Sequence, residues 1–353
     1  MTLSQLTKMA GTAVIASLIL VGCGPTTEAP AGETKTTGSE PTSATAKADY
    51  GDQTLDIDGS NTVFPVASAF VELFSMDKGE AKITVSKAGT GAGMEKFAKG
   101  EVGIANASRP IKEDEIAEIT KAGIEFIEAP IALDGLCIVV SNENTWLKSI
   151  TIEQLNKIWN KDSKVKMWNE VDPSWPKEEI KLYGATDAHG TYEYFNEVIN
   201  GKKDNVRADY SAQAEYDPLV QGVANEKNSL GYVGFAYYIE SKDKIRAVPV
   251  DAGKGAIEPT EATIIDGTYA PLSRPLFVYI NKAKLTESTL LKDFVAYMFG
   301  DKNADGVTGG DYIPLPAETL GLVKARVEAQ KTGSIFSKPE AGKSMFELLT
   351  AAQ

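Results

Sequence analysis

The chain has 353 residues, 42% of them hydrophobic and 24% charged, which is ordinary for a globular protein and leaves enough apolar mass for two domains. Lys plus Arg number 36 against 49 Asp plus Glu, a formal charge of −13, and this argues against nucleic acid as a partner, since duplex binding rests on phosphate neutralisation by Lys and Arg. One His and two Cys all but exclude a zinc site, no other metal or catalytic cofactor is implied, and a Ser-His-Asp enzyme would have to rely on His189 alone.

Residues 1–22 read as a secretory signal. Lys8 is the one positive charge of the n-region, and Met9 to Gly22 is apolar or small. That run falls short of the roughly twenty residues a spanning helix needs. It ends in Leu20-Val21-Gly22-Cys23, which resembles a bacterial lipobox, with Cys23 as the acylated residue. The alternative is a free Cys after an ordinary signal. Acylation would tether the exported protein to the membrane without a transmembrane helix. The tract 23–50, rich in Thr, Ala, Pro, Gly, Ser and Glu, cannot bury a core and reads as a flexible linker after its lipidated Cys. With Cys23 lipidated, Cys137 in GLCIVV has no partner and reads as a small buried core residue.

From Leu55 onward, short apolar runs alternate with amphipathic ones, an α/β pattern. LDIDGS reads as a strand entering a turn. FPVASAFVELF reads as a helix with Pro65 at its start and Val66, Phe70, Leu73 and Phe74 on one face. A strand over AKITVS leads into GTGAGMEKFAKG, a Gly-rich turn opening a helix. The acidic run Glu113-Asp114-Glu115 suits a solvated helix start. IEFIEA and GLCIVV read as two strands. TIEQLNKIW is a helix with a Thr151/Gln154 capping box. GTYEYFNEVI is a helix with Phe195, Val198 and Ile199 together, and LGYVGF and LFVYI are strands. KLTESTLLKDFVAYMFG and PAETLGLVKARVEAQKTG read as long helices, the second closed by Gly333. Trp146, Trp159, Trp168 and Trp175 read as packing residues.

Three strand-to-helix turns stand out: Ser60-Asn61-Thr62-Val63, Gly89-Thr90-Gly91-Ala92-Gly93 and His189-Gly190-Thr191. Each puts Gly and small hydroxyl residues at a helix start, where free N–H groups and the dipole favour an anion. One such turn says little, because Ser and Thr are common N-caps. Three in one exported α/β chain point to a shared anion site. No Walker A motif occurs, and Gly-Thr-Gly-Ala-Gly is not the dinucleotide fingerprint. A further element is Asn106-Ala107-Ser108-Arg109-Pro110. Arg109 is either a surface ion pair or the fixed cation of the anion site. At −13 the protein repels an anion overall, so binding has to come from a local set of dipoles and hydroxyls, joined by Arg109 only on the second of these readings.

Through most of 55–316 the chain resembles the PstS-type phosphate-binding proteins, the solute-binding subunits of phosphate ABC importers. The resemblance runs through IDGSNTVFPVASAF, KAGTGAGMEKFAKGE, ANASRPI, APIALDGLCIVVSNENTWLKSITIEQLNKIW, HGTYEYFNEVI, LVQGVANEKNSLGYVGFAYY and DGTYAPLSRPLFVYI, in that order. It implies a two-lobed α/β periplasmic-binding-protein fold, type II-like, with a ligand cleft between lobes and hinge crossovers. The crossings fall near Asp134–Val140 and Thr268–Phe277. Lobe I is then 51–135 plus 276–353, and lobe II is 136–275. By motif match, Ser60, Thr62 and Val63 form the first phosphate-binding turn. Thr90 and Gly91 belong to the second, Ser108 and Arg109 to the third, and His189, Gly190 and Thr191 to the turn from lobe II.

The resemblance has departures. His189 stands where relatives commonly have Ser, Ala88 where they have Ser, and Asn106 where they often have an acidic residue. Hydrogen phosphate can donate a hydrogen bond and sulfate cannot, so a lost acceptor bears on selectivity. Neutral His189 is a candidate replacement acceptor, the alternative being a ring turned to solvent. The implied function is extracytoplasmic capture of inorganic phosphate by a lipid-anchored monomer that delivers it to the membrane subunits of an ABC permease, with no catalytic residues. The rivals are another oxyanion (sulfate, arsenate, molybdate or a phosphonate), a stand-alone phosphate sensor, and, remotely, an exported phosphatase.

Overall fold

The computed structural model describes residues 48–187, 189–202, 204–338 and 343–353. The secretory signal, Cys23 and the linker up to residue 47 lie outside these residues. The last residues of the tract read as linker are docked. The Ala48 N–H donates to the Lys78 carbonyl at 2.9 Å, and buried Tyr50 stacks on Phe74 with centroids 5.9 Å apart. Tyr50 is the first aromatic after the signal, and so the first residue there with apolar area worth burying.

The first part of the described chain runs β1 (Thr54–Gly59), α1 (Phe64–Lys78), β2 (Lys82–Val85), α2 (Thr90–Ala98), β3 (Ile104–Ala107), α3 (Glu113–Lys121) and β4 (Phe126–Ser141). There follow β5 (Ile150–Thr151), α4 (Ile152–Trp159), α5 (Trp168–Val171), β6 (Lys181–Ala185), α6 (Gly190–Asn200), β7 (Ser211–Gln213), α7 (Tyr216–Asn225), β8 (Ser229–Gly234), α8 (Phe235–Ser241) and β9 (Ile245–Ala247). The rest is β10 (Val250–Asp251), β11 (Ala256–Ile257), α9 (Glu261–Ile265), β12 (Ser273–Asn281), α10 (Lys282–Glu287), α11 (Thr289–Met298), α12 (Asn303–Gly309), α13 (Ala317–Glu328) and α14 (Met345–Ala351).

The main sheet has the order β2-β1-β3-β12-β4-β8-β6-β7, with β9 also paired to β4. Crossover helices make β2, β1 and β3 parallel, while β12 runs antiparallel to both β3 and β4. Every residue of β4 is buried. Its first part, to Gly135, pairs with β12, and from Leu136 it pairs with β8 and then β9. One strand is therefore shared by the two halves of the sheet. Among the described residues no helix is long and apolar enough to cross a membrane.

The expected helix face of α1 is present, with Val66, Phe70 and Phe74 buried and Leu73 half-buried. The Thr151/Gln154 capping box closes as expected, Gln154 N–H donating to Thr151 Oγ1 at 3.1 Å and Thr151 N–H to Gln154 Oε1 at 2.9 Å. Trp159 and Trp168 are fully buried, and Trp168 meets Trp146 edge-on at 4.9 Å. Cys137 faces the core, where burial pushes its thiol well up and keeps it unreactive.

Three expectations are corrected. IEFIEA and GLCIVV are one strand, because Asp134 between them is held by Arg274 of β12 at 3.2 Å and so tolerates burial. The helix expected over 284–300 is two helices, α10 and α11. The Ser288 hydroxyl accepts from Leu291 N–H at 3.1 Å and starts α11 afresh. Gly333 does not cap α13, which closes at Ala329, followed by Gln330 in the left-handed region at φ 49°. Gly333 instead donates its N–H to the Phe126 carbonyl at 2.9 Å, at the start of β4.

Candidate anion-binding site

β1 ends in a buried carboxylate, Asp58. Its Oδ1 accepts from Gly59 N–H at 2.7 Å and from Ala88 N–H at 2.9 Å, while Oδ2 pairs with Lys96 of α2. The Gly89 N–H donates to the Gly59 carbonyl at 2.7 Å, and Ser60 N–H to the Asn106 carbonyl at 2.9 Å. The turns after β1, β2 and β3 are thus fastened to one another through backbone groups. Gly59 is required here: φ is +139°, and a Cβ would lie 2.1 Å from the Asn106 carbonyl oxygen. Burial disfavours the Asp58 charge, but Lys96 and the two N–H groups outweigh it and hold the carboxyl below its usual range.

Ser60 and Thr62 are 2% exposed and Val63 is fully buried. Ser60 Oγ accepts from Thr62 N–H at 3.1 Å, inside its own turn. Val63, Gly89 and His189 are the N-cap residues of α1, α2 and α6, and none of the three helices has a side-chain cap. The hydroxyls of these turns therefore do not serve as N-caps. Thr90 Oγ1 lies 3.4 Å from Ser108 Oγ and accepts from Ser108 N–H at 3.3 Å, which joins the second and third turns.

Arg109 forks onto Glu115 of α3, with Nη2 to Oε1 at 2.6 Å and Nη1 to Oε2 at 2.9 Å. It is an ion pair and also borders a cavity with Thr90 and Ser108. The loop carrying it is anchored from below. Ile111 N–H donates to the Tyr279 hydroxyl at 2.8 Å, and that hydroxyl donates to buried Glu128 at 3.0 Å. Burial pushes the Glu128 carboxyl up, against hydrogen bonds from Ser334, Ile335, Tyr279 and Phe336.

The fourth turn comes from the far side. A Cβ on Gly190 would lie 2.6 Å from both Cα and Oγ1 of Thr62, so the turn entering α6 abuts the turn entering α1 backbone to backbone. Thr191 Oγ1 is hydrogen-bonded to the Tyr216 hydroxyl. His189 directs Nε2 to the Ala214 carbonyl and packs its ring 4.8 Å from Tyr216. Two cavities flank the Thr62–Gly190 contact. The smaller, about 340 Å³, is bordered by Thr90, Gly91, Ser108, Arg109, Glu193, Glu197 and Arg274. The larger, about 650 Å³, is bordered by Asn61, Lys87, Asp134, His189, Gly190 and Thr191. Asn106 borders neither; it is fully buried, and both its amide atoms lack a hydrogen-bond partner among the described residues.

A family model described as a PBP superfamily domain matches residues 28–302. The Staphylococcus saprophyticus phosphate-binding protein PstS is 36% identical over 307 residues, 86% of this chain and 88% of that protein. Protein SphX of Synechocystis is 37% identical over 298 residues, 84% of this chain and 87% of its own length. The chain belongs to the PBP superfamily, with the PstS-type proteins. A solved structure of a possible phosphate binding protein from Planctomyces limnophilus superposes on this PstS-type chain with TM-score 0.75 and 43% identity, covering 79% of this chain and 99% of that one. A Clostridium perfringens structure described as a phosphate ABC transporter substrate-binding protein with bound phosphate gives TM-score 0.53 and 26% identity, covering 75% of this chain and 100% of that one.

The PstS-type fold also brings in a residue that sequence reasoning missed. Arg274 of β12 donates from Nε to Asp134 at 3.2 Å and from Nη2 to Thr62 Oγ1 at 3.3 Å. Its guanidinium carbon lies 3.5 Å from the Tyr194 ring centroid. The available signal was its isolation, since Arg274 is the one charged residue between Gly267 and Asn281. A lone charge in an apolar strand has to be paired or functional.

Proposed function

We propose that this protein captures inorganic phosphate outside the cytoplasmic membrane and delivers it to the membrane subunits of an ABC-type phosphate permease. The observation that carries the reading is one cavity bordered by Thr90, Ser108, Arg109 and Arg274, where α2 starts without a side-chain cap and Arg274 reaches Thr62 of the equally uncapped α1 turn, against which the uncapped start of α6 abuts at Gly190. N–H dipoles, hydroxyls and forked cations are what a tetrahedral dianion needs in place of water. On this reading Ser60, Thr62, Val63, Thr90, Gly91, Ser108, Arg109, His189, Gly190 and Thr191 supply the binding turns. The lobes are 51–135 plus 276–353 and 136–275, and they close about β4 and the start of β12. The partner change of β4 at Gly135–Leu136 supports that division.

Glu193 and Glu197 border the same cavity as Thr90 and Ser108. A carboxylate accepts the proton of hydrogen phosphate and repels sulfate, which favours phosphate among oxyanions. His189 has Nε2 committed to the Ala214 carbonyl, so Nδ1 is the ring atom left for a ligand. That engagement also argues against a Ser nucleophile activated through Nε2, in keeping with the binding-protein names of the PstS and Clostridium relatives. Cys23 is the proposed acylation site and the tether is the membrane link of a monomer.

Calorimetric titration of the full-length protein, stripped of phosphate by unfolding and refolding, tests the reading. Saturable binding of phosphate with no heat from sulfate is expected. Absent phosphate binding, or tighter binding of sulfate or molybdate, would overturn it.

A further inference from the structure

We infer that Arg274, at the crossing between the sheet halves, contacts the anion and couples its binding to closure of the cleft. The inference rests on the phosphate-binding reading above.

Arg274 stands directly opposite Asp134 in the β12–β4 register, one residue from where β4 changes partners. Asp134 holds Nε, which fixes the fork at the crossing and leaves the Nη groups to reach outward. One side of the fork meets Thr62, in the turn that opens α1. The other side meets α6, with the Tyr194 ring beneath the guanidinium and Glu197 Oε2 4.0 Å from Nη1. The same side chain also borders the cavity of Thr90, Ser108 and Arg109.

One rigid, planar group thus touches the α1 turn, α6 and the anion cavity together. Thr62 and Tyr194 can share it only while α6 is drawn against the α1 turn, the arrangement that the Thr62–Gly190 contact also requires. In the open cleft the guanidinium keeps Asp134 but loses one of its outward partners. A ligand can shift an equilibrium only by its differential affinity for the two states. An anion that meets Arg274 while Arg274 spans both sides has that differential affinity. Lys cannot take over the role, since a single ammonium lacks the fork that serves Asp134 and Thr62 at once.

The test uses full-length wild type, Arg274→Gln and Arg274→Lys, with inorganic phosphate as ligand. Affinity is read by calorimetry, and closure by amide hydrogen exchange in 58–64 and 189–195 at saturating phosphate. Wild type is expected to gain protection in both segments. Arg274→Gln should bind about 10- to 100-fold more weakly, the loss of a charge-assisted contact. At saturation it should protect 58–64 but not 189–195. Arg274→Lys, which keeps the charge and guards against a Gln variant that fails to fold, should recover part of the affinity without protection of 189–195. Wild-type affinity in either variant, or weakened binding with both segments still protected, would overturn the coupling role and leave the phosphate reading intact. A wild type that does not bind phosphate would overturn both.

Discussion

Gly190→Ala is expected to weaken phosphate binding by about 5- to 150-fold while leaving the thermal stability of the phosphate-free protein nearly unchanged. The added Cβ would lie 2.6 Å from Thr62 Cα and 2.9 Å from Thr62 N, and neither backbone atom can swing aside. Locally the change is mild, because Ala is the better helix former and Gly190 is the first residue of α6. The clash disappears if α6 backs away from the α1 turn. The overpacking cost, about 1–3 kcal/mol, therefore falls on closure and not on folding. Calorimetry beside thermal melting separates the two. Unchanged affinity would mean that the Thr62–Gly190 contact is not part of the bound state.

Asp58→Ala is expected to be the most destabilising single change in the site. It leaves the N–H groups of Gly59 and Ala88 without their acceptor and removes the partner of Lys96. An unsatisfied buried donor costs about 1–3 kcal/mol, which applies to the buried Gly59 N–H, whereas Ala88 is exposed and its N–H can turn to water. Because Asp58 fastens the first turn to the second, phosphate affinity should fall as well. Asp58→Asn, which keeps an acceptor but not the charge, should lie between. The pH dependence follows from the sign of the shift. The folded carboxyl is held below its usual range, so its stabilisation is present above about pH 4, the ordinary carboxylate value, and is lost as pH falls through the folded value. Melting temperatures between pH 7 and pH 3 should show an acid loss in wild type that is smaller in Asp58→Asn. Equal acid loss in both would remove Asp58 from the account.

Much of this was legible in the sequence, for reasons that differ by element. The α/β alternation and the helix face of α1 follow from periodicity, and the start of α4 from a capping box closed by residues three apart. The turns at 60–63, 89–93 and 189–191 announced themselves by Gly and hydroxyl residues at helix starts. That the first and fourth turns would touch was not legible, since the Thr62–Gly190 contact joins segments more than a hundred residues apart. Arg274 was hidden because its partners, Asp134, Thr62 and Tyr194, are assembled only by the β12–β4 register. The same ion pair concealed the unity of β4, where Asp134-Gly135 reads as a break between two strands. Ser288 misled for a local reason: its hydroxyl competes with helix continuation, and hydropathy does not register that.

The central claim is a position: the anion lies in the cavity bordered by Thr90, Ser108, Arg109 and Arg274. A crystal structure of the protein with arsenate, the isostere of phosphate, located by the anomalous signal of arsenic, tests it most directly. The account predicts one arsenic site in the smaller cavity, within hydrogen-bonding reach of Thr90, Ser108 and Arg109, with Arg274 spanning the α1 turn and α6. An arsenic site confined to the larger cavity beside Lys87 and Tyr216, or none between the turns, would contradict it.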